Sequence, residues 1–192
     1  GRPKCEVVAE RLLAINPEMK VTVKQMFIDP DNVLQALLKK KNATVAEKTK
    51  MQNLLNDSFD FKGLAKKSLP TKVWKEQTPE NLEKFTLEFE RMVRNSSAKR
   101  LEVYRADSTV YEPAKMKGTD EARVVAHTWY KGKEAVLEYK MTLVNGVWKA
   151  WDLVIDDLST ARNYREQFSQ ILQTKSFEEL ITIVKNKADQ SE

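Results

Sequence analysis

Residues that carry most enzyme chemistry are scarce in this sequence. Among 192 residues there is one cysteine, Cys5, which excludes an intramolecular disulfide and a cysteine-built zinc site. There is also one histidine, His127, so a metal centre built from several histidines is excluded too. As a nucleophile Cys5 would need a basic partner, and His127 stands far from it in sequence. The thiol therefore reads as a structural one in the first helix. Five glycines, none in a GxGxxG or Walker arrangement, leave no phosphate-cradling loop. Apolar runs such as Val7-Val8-Ala9 and Leu153-Val154-Ile155 fall far short of the roughly 20 residues a membrane-spanning helix needs. The opening Gly1-Arg2-Pro3-Lys4-Cys5 leads into a charged amphipathic segment, with no apolar signal core. Lys and Arg number 33 against 28 Asp and Glu, a net charge of +5 spread along the chain. Nucleic-acid binding calls for a concentrated basic patch with aromatic platforms, so it is not expected. Attraction to anionic membranes or acidic partners is expected to be mild.

What is present is apolar periodicity. A hydrophobic content of 41% beside 32% charged residues suits a single globular core. Val8, Leu12 and Ile15 recur at helical spacing until Asn16-Pro17 closes the segment. Asp29-Pro30 starts a short helix carrying Val33, Leu34, Leu37 and Leu38, and Thr44 with Glu47 forms a capping box for a further helix through Leu54 and Leu55. Asp60 is an N-cap for a segment that turns Leu64 and Ala65 inward before Leu69-Pro70 stops it. Thr78-Pro79 opens a helix with Leu82, Phe85, Phe89, Met92 and Val93 on one side.

From Leu101 to Ile155 the pattern is that of strands. Asn145-Gly146 is the preferred pair for a type I′ hairpin turn, which sets Val144 opposite Val147. Equal steps outward pair Leu143 with Trp148, Met141 with Ala150, Tyr139 with Asp152 and Leu137 with Val154, all on one face. The opposite face, with Thr142, Lys140 and Glu138 against Lys149, Trp151 and Leu153, is more polar. Lys131-Gly132 reads as the preceding turn, placing Thr128 by Ala135, Ala126 by Leu137 and Val124 by Tyr139 on the apolar face, with His127 and Trp129 behind it. The run 101–112 supplies one more strand, at an edge. Tyr164, Phe168, Ile171 and Leu172 form a helical stripe, and Ser176 with Glu179 caps a last helix carrying Leu180, Ile181 and Val184. Both C-terminal helices are expected to pack on the apolar sheet face.

The only acidic residue assigned to that face is Asp152. It is either a buried carboxylate acting as a general base, as in a small isomerase or hydratase, or a structural acceptor for Tyr139, Tyr164 or a helix end. Asp156-Asp157 beside it reads as a solvated turn rather than a cation site. What remains is a surplus of bulky apolar stripes: Tyr139, Met141 and Trp148 on the sheet, and Trp74, Phe85, Phe89, Met92, Tyr164 and Phe168 on helices. These either fill a core, as in a non-catalytic interaction module, or wall a cavity suited to acyl chains.

Two stretches separate these readings by resemblance. The first is Phe59-Asp60-Phe61-Lys62-Gly63-Leu64-Ala65, continuing through Trp74-Lys75 to Thr78-Pro79-Glu80-Asn81-Leu82-Glu83-Lys84-Phe85. The second is Gly146-Val147-Trp148-Lys149-Ala150-Trp151-Asp152-Leu153-Val154-Ile155, continuing through Ser159 to Asn163-Tyr164-Arg165-Glu166-Gln167-Phe168 and Phe177-Glu178-Glu179-Leu180-Ile181. Together they resemble the MlaC family, the toluene-tolerance proteins of Gram-negative bacteria, over roughly residues 30 to 187.

The resemblance implies an α+β fold: a nuclear-transport-factor-two-like curved antiparallel sheet of about four strands packed with a helical subdomain, an apolar cavity between them. It implies an N-terminal helical extension over 1–28 without family counterpart and a lipid-binding domain over 29–187. In that domain the helical part is 29–100, the sheet 101–156 and the C-terminal helices 159–187. Function follows from the same source: a periplasmic, non-enzymatic phospholipid carrier with the lipid as cargo and no cofactor. Its expected partners are an outer-membrane Mla lipoprotein complex and an inner-membrane Mla ABC transporter complex, and not nucleic acid. The lipid-facing residues expected are Leu64, Trp74, Phe85, Phe89, Met92, Val124, Ala126, Leu137, Tyr139, Met141, Trp148, Ala150, Val154, Tyr164 and Phe168. Asp152 and the Asn163-Tyr164-Arg165 block match the family pattern as structural or pocket-supporting residues. The lysine-rich run 112–121 departs from it, so partner contacts there are expected to differ.

Overall fold

The computed structural model describes residues 44–99 and 107–190. The helices expected over 3–15 and from Asp29-Pro30, the structural role of Cys5 and the beginning of the strand expected over 101–112 lie outside the described residues. Helix α1 (Val45–Asp57) starts one residue after Thr44, where a cap is expected. Helix α2 (Phe61–Lys67) is capped by Asp60, whose Oδ1 accepts from the Gly63 amide at 2.9 Å, and it buries Leu64 and Ala65. After the short helix α3 (Thr71–Glu76), Thr78 caps helix α4 (Pro79–Lys99) by accepting from the Asn81 amide at 3.2 Å. Strands β1 (Ser108–Tyr111), β2 (Lys115–Lys117), β3 (Glu121–Tyr130), β4 (Lys133–Val144), β5 (Val147–Ile155) and β6 (Leu158–Ser159) follow. Helices α5 (Thr160–Ile171) and α6 (Phe177–Asp189) complete the fold, α6 opening on the expected Ser176–Glu179 capping box.

The strands form one antiparallel six-stranded sheet of order β1-β3-β4-β5-β6, with β2 continuing along the β3 edge beyond β1. Short β2 and β6 extend the four strands expected. Both hairpin turns have the left-handed pairs a type I′ turn demands: Lys131 and Gly132 at φ 51° and 76°, Asn145 and Gly146 at 51° and 77°. The β3–β4 register is the expected one, Val124 with Tyr139, Ala126 with Leu137 and Thr128 with Ala135.

The β4–β5 register holds from the turn through Leu143–Trp148 and Met141–Ala150 and then shifts at a bulge that leaves Trp151 without a partner. Lys140 therefore faces Asp152, Tyr139 faces Leu153, Glu138 faces Val154 and Leu137 faces Ile155. This corrects the expected pairing. Asp152 and Val154 move to the polar face, and Leu153 crosses to the apolar one. The extra residue coincides with a change of neighbour on the outer edge of β5. There Ala150 exchanges backbone hydrogen bonds with Ser58 and Asp60, whereas Val154 and Ile155 pair with β6.

The last helix departs from expectation as well. α6 lies along α4 and not on the sheet. The two run in the same direction, tied at their starts by Asn81 Nδ2 to Glu178 Oε1 (3.0 Å) and at their ends by Asn95 Nδ2 to the Ala188 carbonyl (3.2 Å) and an Arg91–Asp189 ion pair. Among the described elements the principal helix-to-sheet contacts run from α2 and α5 to β5 and β6. Gly63 permits a close approach of α2 to β5, because a Cβ there would meet the Asp60 carboxylate and the Trp151 Cβ.

Candidate functional site

The apolar sheet face is built by alternation. β4 contributes Leu137, Tyr139, Met141 and Leu143, and its neighbours meet these with small residues: Ala126 beside Leu137, and Ala122 and Ala150 on either side of Met141. Tyr139 lies between Val124 and Leu153. The small residues are buried, whereas Leu137, Tyr139, Met141, Leu143 and Trp148 keep part of their surface accessible. Large side chains separated by alanines make a sheet face uneven, a shape that complementary apolar groups can pack against. Among the described residues this surface offers apolar area and no acid–base pair.

Val154, expected on this face, is carried off it by the bulge, and Ile155 stands in its register position. Tyr111 and Met116 belong to it and were missed, since β1 sets Tyr111 opposite Ala126 and β2 sets Met116 opposite Ala122. The signal was the polar–apolar alternation of Lys115-Met116-Lys117, hidden within a run that reads as a lysine-rich loop. Burial holds the Tyr111 phenol above its usual pKa, so it stays protonated well into the alkaline range.

The helical residues expected at the site come together with one another. Leu64, Phe85, Phe89, Met92 and Phe168 are buried in one cluster, with Trp74 and Tyr164 packed against it. Phe89 meets Tyr164 edge-on at 4.9 Å and Phe168 at 5.5 Å, while Phe85 stacks on Phe89 at 5.6 Å. Edge-to-face and offset ring pairs at these distances fill space efficiently. From the sheet, Trp151 joins this cluster.

Asp152, 1% exposed, lies on the polar face with its carboxylate engaged on both oxygens. Oδ2 accepts from Lys140 Nζ at 2.9 Å and Ser159 Oγ at 2.7 Å, and Oδ1 accepts from the Ala161 amide at 2.9 Å. Ser159 also caps α5 through the Arg162 amide. The carboxylate thus sits at the positive end of α5 and ties it to β4 and β5. A general base needs a free lone pair facing a substrate, and this one faces a lysine and a helix end. Arg165 of the Asn163-Tyr164-Arg165 block donates twice to the Leu69 carbonyl, at 3.0 and 3.2 Å, joining α5 to the end of α2.

Asp156 and Asp157 form the exposed turn expected, both left-handed, with Asp156 Oδ1 accepting from the Val136 amide at 3.1 Å. Among the described residues no group of three His, Cys, Asp or Glu side chains gathers to hold a metal ion, and no helix is long and apolar enough to cross a membrane.

A family model described as MlaC protein matches residues 30–186. The chain belongs to the MlaC family. Among curated proteins, this MlaC chain is 23% identical over 124 residues to toluene tolerance protein ttg2D of Pseudomonas putida, an alignment covering 64% of the chain and 58% of that protein. A second match is short: 57% identity over 35 residues to the tRNA threonylcarbamoyladenosine dehydratase of Escherichia coli (strain K12), 18% of this chain and 13% of the enzyme. The chain thus spans little more than half of one curated relative and a small part of the other. Among solved structures it resembles a phospholipid-binding protein from Ralstonia solanacearum in complex with a phospholipid. The TM-score is 0.68 at 18% identity, covering 84% of this chain and 93% of that one. At that identity the likeness speaks for a shared fold.

Proposed function

We propose that this MlaC protein is a periplasmic phospholipid carrier. It holds acyl chains over the apolar sheet face, in a cavity closed by helices, and shuttles lipid between outer-membrane and inner-membrane Mla complexes. It catalyses no reaction and needs no cofactor. The observation that carries this reading is the sheet face itself, where Leu137, Tyr139 and Met141 alternate with Ala122, Ala126 and Ala150 on a chain of this family. Acyl chains can pack against this uneven face. At about 0.8 kcal/mol per buried methylene, ten methylenes contribute roughly 8 kcal/mol before ordering costs. The fold shared with a protein solved around a phospholipid supports the same cargo.

The contacts on this reading are Val124, Ala126, Leu137, Tyr139, Met141, Trp148 and Ala150, with Tyr111, Met116 and Ile155 added and Val154 dropped. Phe85, Phe89 and Phe168 act as the filled core that keeps the helical wall in place. The single-domain organisation over 29–187, preceded by an extension over 1–28, belongs to the same proposal. An isomerase using Asp152 gains no support, because that carboxylate is spent on Lys140, Ser159 and α5.

The test is Met141→Lys. Met141 is half-buried between two alanines, where a long amphipathic side chain can snorkel outward. The variant should keep its circular dichroism and lose most uptake of a fluorescent phospholipid. A variant that loads lipid as well as the parent contradicts the assigned face.

A further inference from the structure

The opposite, polar face of the sheet is not randomly charged. Register places Lys115, Arg123 and Lys140 in one row across β2, β3 and β4, with Lys117 and Lys149 in the adjacent row toward the Asn145-Gly146 turn. Lys67 reaches the same region from α2, its Nζ 5.2 Å from the Trp151 ring centre, while Lys140 approaches the ring at 5.5 Å. The carboxylates among these cations are Glu121, paired with Lys117 at 2.9 Å, and Asp152, buried under Lys140. Glu112 lies 3.9 Å from Lys115 at the far border. Arg123, Lys149 and Lys67 have no ion pair within 4 Å among the described residues, although Lys117 first, and then Lys67 and Arg123, lower the Glu121 carboxyl pKa. Lys115, Lys117, Arg123 and Lys67 are exposed. Further along, the face turns acidic: Glu138 occupies the next row, and Glu112 and Glu134 flank His127 beyond it. At the basic end the hairpin tip presents Val147, 43% exposed and on the same face as Lys149.

We propose that the basic half of this face is a docking surface for an anionic lipid bilayer, approached with the β4–β5 hairpin tip foremost. Three features select a bilayer over an acidic protein. The array is almost all lysine, a residue depleted in protein–protein interfaces and well suited as a point charge for mobile phosphates. It spreads across several strands and α2, and Trp151 beside it is approached by two lysines rather than offered as an anchor. The acidic far half would be repelled by the same membrane, which orients the molecule. Neither the carried lipid nor the apolar face is needed for this contact, so it goes beyond the carrier reading.

The test is co-sedimentation of the purified chain with vesicles of phosphatidylcholine alone and of phosphatidylcholine mixed with phosphatidylglycerol, at low and high salt. The full chain should bind the mixed vesicles at low salt, release at high salt and ignore the neutral ones. Reversing Lys115 and Arg123 to Glu should lower partitioning at least about tenfold, since each basic residue near an anionic surface contributes independently. Reversing Lys72 and Lys185, exposed helical cations elsewhere, alters net charge equally and should leave most binding intact. Both variants alter exposed side chains, and an unchanged thermal melt verifies folding. Absence of binding to the mixed vesicles, equal loss in the two charge-matched variants, or binding to polyglutamate but not to vesicles would overturn the proposal. Lipid content of the Lys115/Arg123 variant, measured separately, reports on the carrier reading alone.

Discussion

Asp152 receives its hydrogen bonds from a strand lysine, a loop serine and a helix amide, so three elements depend on one carboxylate. Removing it leaves Lys140, 23% exposed, facing a helix N-terminus without its counter-charge. Breaking a well-buried pair costs about 3–5 kcal/mol, and partial exposure of the lysine lowers this to about 2–3 kcal/mol. Urea denaturation of Asp152→Ala should give a loss in that range. Lys140→Met, which removes the charged donor and leaves Ser159 and Ala161 in place, should cost less. Equal stability of Asp152→Ala and the parent would mean that the carboxylate is not a tie. The importance of Asp152 was legible in the sequence, because it was the acidic residue assigned to an apolar strand. Its side of the sheet was not, since that depended on an extra residue nearby.

At the scale of elements, what could be read followed local chemistry. Asp60, Thr78 and Ser176 cap helices because their side-chain oxygens satisfy amides a few residues on, and Asn145-Gly146 and Lys131-Gly132 form tight turns because they accept positive φ. The bulge at Trp151 has no such signature. Lys149-Ala150-Trp151-Asp152-Leu153 alternates without a glycine, and the bulge accompanies a change of edge partner that only the tertiary fold supplies. The pairing of α6 with α4 is likewise a long-range choice between two apolar surfaces.

β1 carries a pH-dependent tether: His127 of β3 meets Glu112, just past β1, at 3.1 Å and Glu134 of β4 at 2.9 Å. Hydrogen bonds to Glu112 first and Glu134 second raise the imidazole pKa above its ordinary 6.5. A raised folded-state pKa means the stabilisation is fully present below the unfolded value and is lost as pH rises through the folded one. The stability difference between the parent and His127→Gln should therefore be largest in mildly acidic buffer and shrink as pH rises past the folded pKa. The imidazole resonances of the parent should titrate above 6.5. A difference that grows with pH would contradict the tether.

The whole molecule separates apolar and charged surfaces by layer. A helical core of interlocking rings supports β5, the apolar sheet face alternates large and small side chains, and the polar face is divided into basic and acidic halves. Composition alone made the chain poor in catalytic groups and rich in apolar stripes, while acyl cargo came from family resemblance rather than from periodicity. Helical aromatics and sheet residues read alike as apolar stripes, and which of them fill one another is a property of packing. The most direct measurement is mass spectrometry of an organic extract of the purified, folded protein. Phospholipid co-purifying at near one molecule per chain, and falling sharply in Met141→Lys, is the predicted result. An extract without phospholipid, from protein that also fails to take up phospholipid from vesicles, would contradict the carrier function.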